Sequence, residues 1–160
     1  MSDQDIAGAA ETSFADEETQ ALEILVEMII PASDEYSLPG AGDAVIFADI
    51  LATAGARHGP VCAALSALDA LARKSQDNGF GALDLDQRDG LVTEFRRLHP
   101  AAADLLATIT VQCYYRDDRV MRALDMETRP PFPAGFTVDQ GDWSLLNPVR
   151  GRPEFYRKAP

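Results

Sequence analysis

Lysine and arginine are missing from the first 56 residues, which carry 12 Asp and Glu, while residues 57–160 hold 14 charges of each sign. The whole excess behind the net charge of −12 therefore sits in the first third of the chain. Such a face repels phosphate backbones and anionic lipid, which excludes nucleic acid and membrane headgroups as its partners. Its ordinary role is a solvated, solubilising surface, with electrostatic docking as the alternative. Cysteine is scarce: Cys62 and Cys113 lie in apolar helical patterns without C-x-x-C or C-x-x-C-H spacing. Structural zinc, Fe–S clusters and covalent haem are unsupported, and two buried free thiols are expected rather than a disulfide. The two histidines, His58 in a loop after a second helix and His99 at the end of a fourth, have no ligand-type neighbours at short spacing. No apolar run approaches the roughly 18 residues of a membrane span, and residues 1–19 lack the basic and apolar regions of an export signal.

What is present is helical periodicity. With 46% hydrophobic residues in 160, the chain can bury one real core. Residues 1–13 are small and polar and expected to be disordered. From Asp16, Leu22, Leu25, Val26 and Ile29 recur at i, i+3, i+4 and i+7, so one face of a first helix is core until Pro31 stops it. Pro39-Gly40 supplies a turn and Asp43 caps a second helix, whose stripe is Ile46, Phe47, Ile50 and Leu51. A third helix starts near Pro60, with Val61, Ala64, Leu65, Leu68, Leu71 and Ala72, and Asp77-Asn78-Gly79 breaks it. Asp84 caps a fourth, lined by Leu91, Val92, Phe95 and Leu98. Pro100 opens a fifth, through Leu105, Leu106, Ile109 and Cys113 to Tyr114-Tyr115, and Asp117 or Asp118 caps a short sixth with Val120, Met121 and Leu124.

Past Asp125 the character changes. Arg129-Pro130-Pro131-Phe132-Pro133-Ala134-Gly135-Phe136 cannot be helix, and Asp142 to Lys158 mixes aromatics with arginines without a period. A long stretch without secondary structure is functional or disordered as a rule, and disorder is poor in aromatics, so a packing strap is expected. The fold class is thus all-α: a disordered 1–13, a single compact domain of five to six helices over 14–125, and a long irregular Pro/aromatic tail over 126–160. That tail is either part of the same domain or bound to a partner.

No catalytic constellation emerges. The carboxylate pairs Asp117/Asp118 and Asp84/Asp86 fall where helix caps belong. Gly40-Ala41-Gly42 follows a helix rather than a strand and lacks the further glycine of a nucleotide loop. Of Tyr114 and Tyr115 one must face the core while the other can face a partner. Trp, Tyr, Phe and Arg dominate binding hot spots, so the candidate interface residues are Tyr115, Phe132, Phe136, Trp143, Arg150, Arg152, Phe155 and Tyr156.

Four segments resemble the gluconate 2-dehydrogenase subunit 3 family: Ile30-Pro31-Ala32 with Pro39-Gly40-Ala41, Tyr114-Tyr115 with its polar helix cap, Arg129 to Gly135, and Trp143 to Tyr156. The resemblance implies a non-catalytic accessory subunit that stabilises, matures or escorts a large subunit of the glucose-methanol-choline type in a hetero-oligomer. FAD and the chemistry on a sugar or alcohol are then expected in the partner, with no cofactor, metal or catalytic residue in this chain. Many relatives carry a twin-arginine export signal. Residues 1–19 show none, so a cytoplasmic complex is expected, with export to the periplasm on a partner's signal as the alternative. Two other readings stay open: a free-standing helical adaptor, and behind it an independent enzyme with an unrecognised pocket.

Overall fold

A computed structural model describes residues 13–76, 79–128, 135 and 140–153, with the side chain of Gln76 left out. The chain divides into two compact units, residues 1–128 and 129–160. Six α-helices build the first: α1 Asp16–Ile29, α2 Ala44–Gly55, α3 His58–Gln76, α4 Leu85–Leu98, α5 Pro100–Tyr114 and α6 Asp118–Ala123. Among the described residues there is no strand, only an isolated antiparallel bridge between Ser33 and Leu38. The protein is all-α, as its periodicity predicts.

The caps follow sequence chemistry. Asp43 accepts hydrogen bonds from the Val45 and Ile46 amides at the start of α2. Asp84 and Gln87 exchange bonds at the start of α4, and Asp117, not Asp118, caps α6. Pro100 opens α5, where a missing N–H costs nothing. One boundary differs from expectation. His58 is the first residue of α3 rather than part of a loop, because Gly59 and Pro60 are tolerated in a first turn whose amides have no intrahelical partner.

α5 is the central element and packs against α1, α2, α3 and α4. The core joins Leu22, Leu25 and Val26 to Ile46, Phe47 and Ile50, to Val61, Leu65 and Leu68, and to Leu91, Phe95, Leu106, Ile109 and Val120. Most of the periodic stripe is therefore buried. Leu98 and Leu124, expected to line the core, are exposed. Each lies at the last residue of its helix or just past it, where the surface facing the core has run out. Phe80 moves the other way. Though it lies in the connection between α3 and α4, it is fully buried inside a short 3₁₀ turn over Phe80–Ala82, and its amide donates to Asp69 Oδ1 at 3.1 Å. Thr110 is buried on α5 and donates its hydroxyl back to Leu106 O at 2.8 Å, which satisfies it.

Both cysteines are free thiols, Cys113 buried and Cys62 half-buried. In the second unit, Trp143–Leu146 forms a 3₁₀ turn that runs into α7, Asn147–Arg150. This corrects the expectation of an aperiodic stretch from Asp142 onward. Asp142 caps the turn through the Ser144 amide, and Pro148 occupies the first turn of α7, both within too few residues for a period to be seen.

Candidate functional site

The corner between α1 and α2 is built around a carboxylate. Glu27, on the last turn of α1, accepts the Gly42 amide at 2.9 Å and the Ala32 amide at 3.3 Å. The Ala41 amide donates to Ile30 O at 2.8 Å, so the chain folds back onto the end of α1. Both glycines are here for space. A Cβ at Gly40 would stand 2.6 Å from Glu27 Oε1 and 2.8 Å from its Cδ, and one at Gly42 would stand 2.7 Å from Oε2. Neither has a positive φ, so close approach to the carboxylate, and not turn geometry, requires glycine. The Gly42 amide that a phosphate would need is taken by an anion of the chain itself, so the loop does not fit a nucleotide.

Ser33 and Leu38 pair across the rest of the corner. Between them Ser37 adopts φ 52° and Tyr36 stands exposed at the tip.

The second conspicuous segment, Tyr114 to Arg122, closes on this corner. Tyr114 is buried, and its hydroxyl donates to Pro39 O at 2.9 Å. Burial pushes its pKa up, with the charges of Tyr115, Asp117 and Glu27 adding to the effect. Arg119 holds two helix caps at once. Its Nη2 donates to Asp43 Oδ1 at 2.6 Å and to Asp117 Oδ2 at 3.0 Å. Its Nη1 reaches Asp43 Oδ2 at 3.2 Å and its Nε reaches Asp117 Oδ1 at 3.1 Å. The guanidinium holds both carboxyls below the usual carboxylate range, and the two carboxylates in turn raise the Arg119 pKa.

Arg116 binds α2 in the same way. It donates from Nη2 to Asp49 Oδ2 at 2.6 Å and to Thr53 Oγ1 at 3.1 Å, while the Cys113 thiol donates to Thr53 Oγ1 at 3.3 Å. Arg122 pairs with Asp118 at 2.7 Å. Each of the three arginines is thus matched by a carboxylate. The first third of the chain is not purely a solvated acidic face, because Asp43 and Asp49 draw their cations from 76 and 67 residues away.

The remaining chemistry-bearing contacts are modest. His58 stacks on Phe14 with ring centroids 4.9 Å apart, and its Nε2 lies 3.5 Å from Cys62 Sγ. Burial and the neighbouring Glu18 push the Cys62 thiol up, opposite to what a nucleophile needs, and burial raises Cys113 as well. His99 leans on Phe95 with centroids 5.6 Å apart. Several grooves open on the helical unit. One of about 400 Å³ is floored by Leu25, Phe95 and Leu106, and another, of about 530 Å³, is lined by Ile24, Met28, Pro31 and Leu85. Among the described residues no three His, Cys, Asp or Glu side chains stand together as metal ligands, and no helix is long and apolar enough to cross a membrane.

Of the candidate interface residues, Tyr115 is 49% exposed and packs its edge against Tyr114 with ring centroids 5.4 Å apart. Tyr114 faces inward and Tyr115 outward, the split that the doublet predicts. Trp143 is 61% exposed, with its indole N–H directed at Gln140 Oε1 at 3.4 Å. Arg150 and Arg152 are exposed. Trp143 and Arg150 share one short helical segment. Phe132, Phe136, Phe155 and Tyr156 lie outside the described residues.

Sequence reading missed Glu27 and Arg119. The alternating Gly40 and Gly42 were the available signal for the first, since two glycines around one alanine make room for a group from elsewhere. The second left no local signal.

Comparison with curated proteins and with solved structures yields no match. The model of the family described as gluconate 2-dehydrogenase subunit 3 matches residues 16–128, from the first residue of α1 to the end of the helical unit. The match takes in the corner and the Tyr114-Tyr115 segment and stops before Arg129. With α1 to α6 all inside the matched residues, the chain belongs to the gluconate 2-dehydrogenase subunit 3 family.

Proposed function

We propose that this chain is a non-catalytic accessory subunit that stabilises or matures an FAD-dependent large subunit of the glucose-methanol-choline type, and that substrate oxidation takes place in that partner. Family membership over residues 16–128 carries the reading. The geometry supports it in two ways. Arg116, Arg119 and Arg122 each meet a carboxylate, so these pairs hold helices together rather than remain available for proton transfer. The residue types that dominate interfaces, Tyr115 and Trp143, are instead exposed.

The test is affinity purification of this chain under native expression. Recovery of a stoichiometric yellow protein with a flavin spectrum, whose yield and dehydrogenase activity fall when this chain is deleted, supports the reading. Capture of a protein without flavin supports the adaptor instead, and dehydrogenase activity in this chain alone would overturn the non-catalytic assignment.

A further inference from the structure

Of the helices in the first unit, α6 is the most thinly anchored. At six residues it is too short to persist on its own propensity. Among the described residues Val120 is its one buried side chain, whereas α5 buries Leu106, Ile109, Thr110, Cys113 and Tyr114. The rest of its attachment is ionic. Arg119 meets Asp43 at 2.6 Å, and Arg116, on the link from α5, meets Asp49 at 2.6 Å. Both guanidiniums stay about half exposed, so water and salt compete with the carboxylates for them.

The other helices keep their own supports without it. Asp43 caps α2 by accepting the Val45 and Ile46 amides at 3.1 and 3.4 Å, bonds in which Arg119 takes no part. Tyr114 ties the end of α5 to the corner through Pro39 O, just before the link to α6 begins at Tyr115. At its far end α6 is closed by Asp125, a non-glycine residue at φ 56° in the left-handed region. The Asp125 amide donates to Arg122 O at 3.1 Å and the Met126 amide to Met121 O at 2.9 Å. A side chain in that region carries a conformational cost, which unwinding of α6 relieves.

We propose that α6 is an ionic latch, which opens as one piece while α1 to α5 stay folded and so lengthens the chain leading to residue 129. Opening of this kind draws on the least stable part of a unit, where few apolar contacts are lost. Closed, Arg116 and Arg119 hold residues 116–123 against α2 and its cap. Open, residues 116–128 become a tether that can extend over roughly 40 Å. The reach of the segment that follows is then set by an equilibrium that ionic strength controls, because salt screens the two arginine contacts and spares the apolar core.

Native-state hydrogen exchange of the full chain in increasing urea tests this. The reporters are the Met121, Leu124 and Met126 amides, which donate within α6 and its closing turn, and the reference is the set of amides between Leu106 and Cys113 of α5. The three reporters should exchange together, at least about tenfold faster than the reference, and with little dependence on urea, since opening one short helix exposes little surface. NaCl at about 1 M, where the screening length is about 3 Å, should speed them at least about threefold. Two variants separate a local from a global opening. Arg119→Ala loses a contact that breaks in both, so it should speed reporters and reference alike, at least about fivefold. Phe80→Leu loses packing that breaks only when the whole unit unfolds, so it should speed the reference at least about threefold and leave the reporters unchanged.

Reporters that follow the reference in rate and urea dependence overturn the latch, as does a Phe80→Leu variant that speeds both sets. Either result makes α6 part of the unit's single cooperative core. Local opening that neither salt nor Arg119→Ala accelerates also overturns it, because the helix then frays rather than being held by charge. Joint opening of the reporters without the reference, faster in salt and in Arg119→Ala, supports it. The exchange is read on this chain alone, so its outcome is independent of any flavoprotein partner.

Discussion

Replacing Gly40 by alanine puts the account of the corner at risk most directly. The new Cβ would stand 2.6 Å from Glu27 Oε1 and 2.8 Å from Cδ, distances no relaxed structure keeps. Glu27 must then swing away from the Gly42 and Ala32 amides that it accepts at 2.9 and 3.3 Å. Overpacking costs about 1–3 kcal/mol, and giving up a hydrogen bond to a charged acceptor about 1.5–3 kcal/mol. The side chain relieves the first cost by suffering the second, so the two do not add, and Gly40→Ala should cost about 2 kcal/mol. In a unit of this size that is a fall in Tm of about 8 °C. Glu27→Ala removes the obstacle and the acceptor together. On that background Gly40→Ala should change stability by less than about 0.5 kcal/mol, since alanine also lowers the entropy of the unfolded chain. A double-mutant cycle by urea unfolding, followed by circular dichroism, reads the coupling as about 2 kcal/mol. If Gly40→Ala costs the same with and without Glu27, to within about 0.5 kcal/mol, the glycine is not there for the carboxylate and the reasoning fails.

Three further outcomes follow from the same geometry. Arg119→Ala should destabilise by about 1–3 kcal/mol, because it leaves two half-buried capping carboxylates without their cation. It should also flatten the acid limb of the stability curve. Asp43 and Asp117 have folded pKa values below the unfolded ones, so their contribution is full above about pH 4 and disappears as pH falls through the folded values. Urea midpoints at pH 7 and pH 3 that differ as much in the variant as in the wild type would remove Arg119 as the cause. Tyr114→Phe should cost about 1 kcal/mol by orphaning Pro39 O, with no change in helix content, read by thermal unfolding. Phe80→Ala should cost about 3–5 kcal/mol, as for a fully buried aromatic, and an exposed-loop value below about 1 kcal/mol would contradict its placement in the core.

The helices were legible because each is long enough to show a period and is bracketed by chemistry that works locally. Asp43, Asp84, Pro100 and Asp117 act on amides or dihedrals within three residues, and all four stand where the sequence places them. Phe80 was not legible, since its burial depends on α1 and α3 closing over a three-residue turn, which no local pattern records. Nor was the partnership of Asp43 with Arg119, a fact about the way α6 returns to α2 rather than about either neighbourhood. α7 escaped for the opposite reason, since four residues are one turn and a single turn has no period. Of the candidate interface, the exposure of Tyr115 could be read from a tyrosine doublet on a helix end. That of Trp143 could not, because an isolated tryptophan in a proline-rich stretch packs or protrudes according to what lies outside it.

The Arg119 bridge also bears on the order in which the chain can acquire its native state. Residues 43 and 119 stand 76 positions apart, so the contact closes a loop that contains α2, α3, α4 and α5. Its entropic cost is met only once those helices have assembled and shortened the path. A contact made that late should be absent from the folding transition state. Losing it should leave the folding rate almost unchanged and appear as faster unfolding. On the ribosome Glu27 can close the corner of α1 and α2 as soon as both helices have emerged, whereas the Asp43 cap has to wait for α6 to bring its cation.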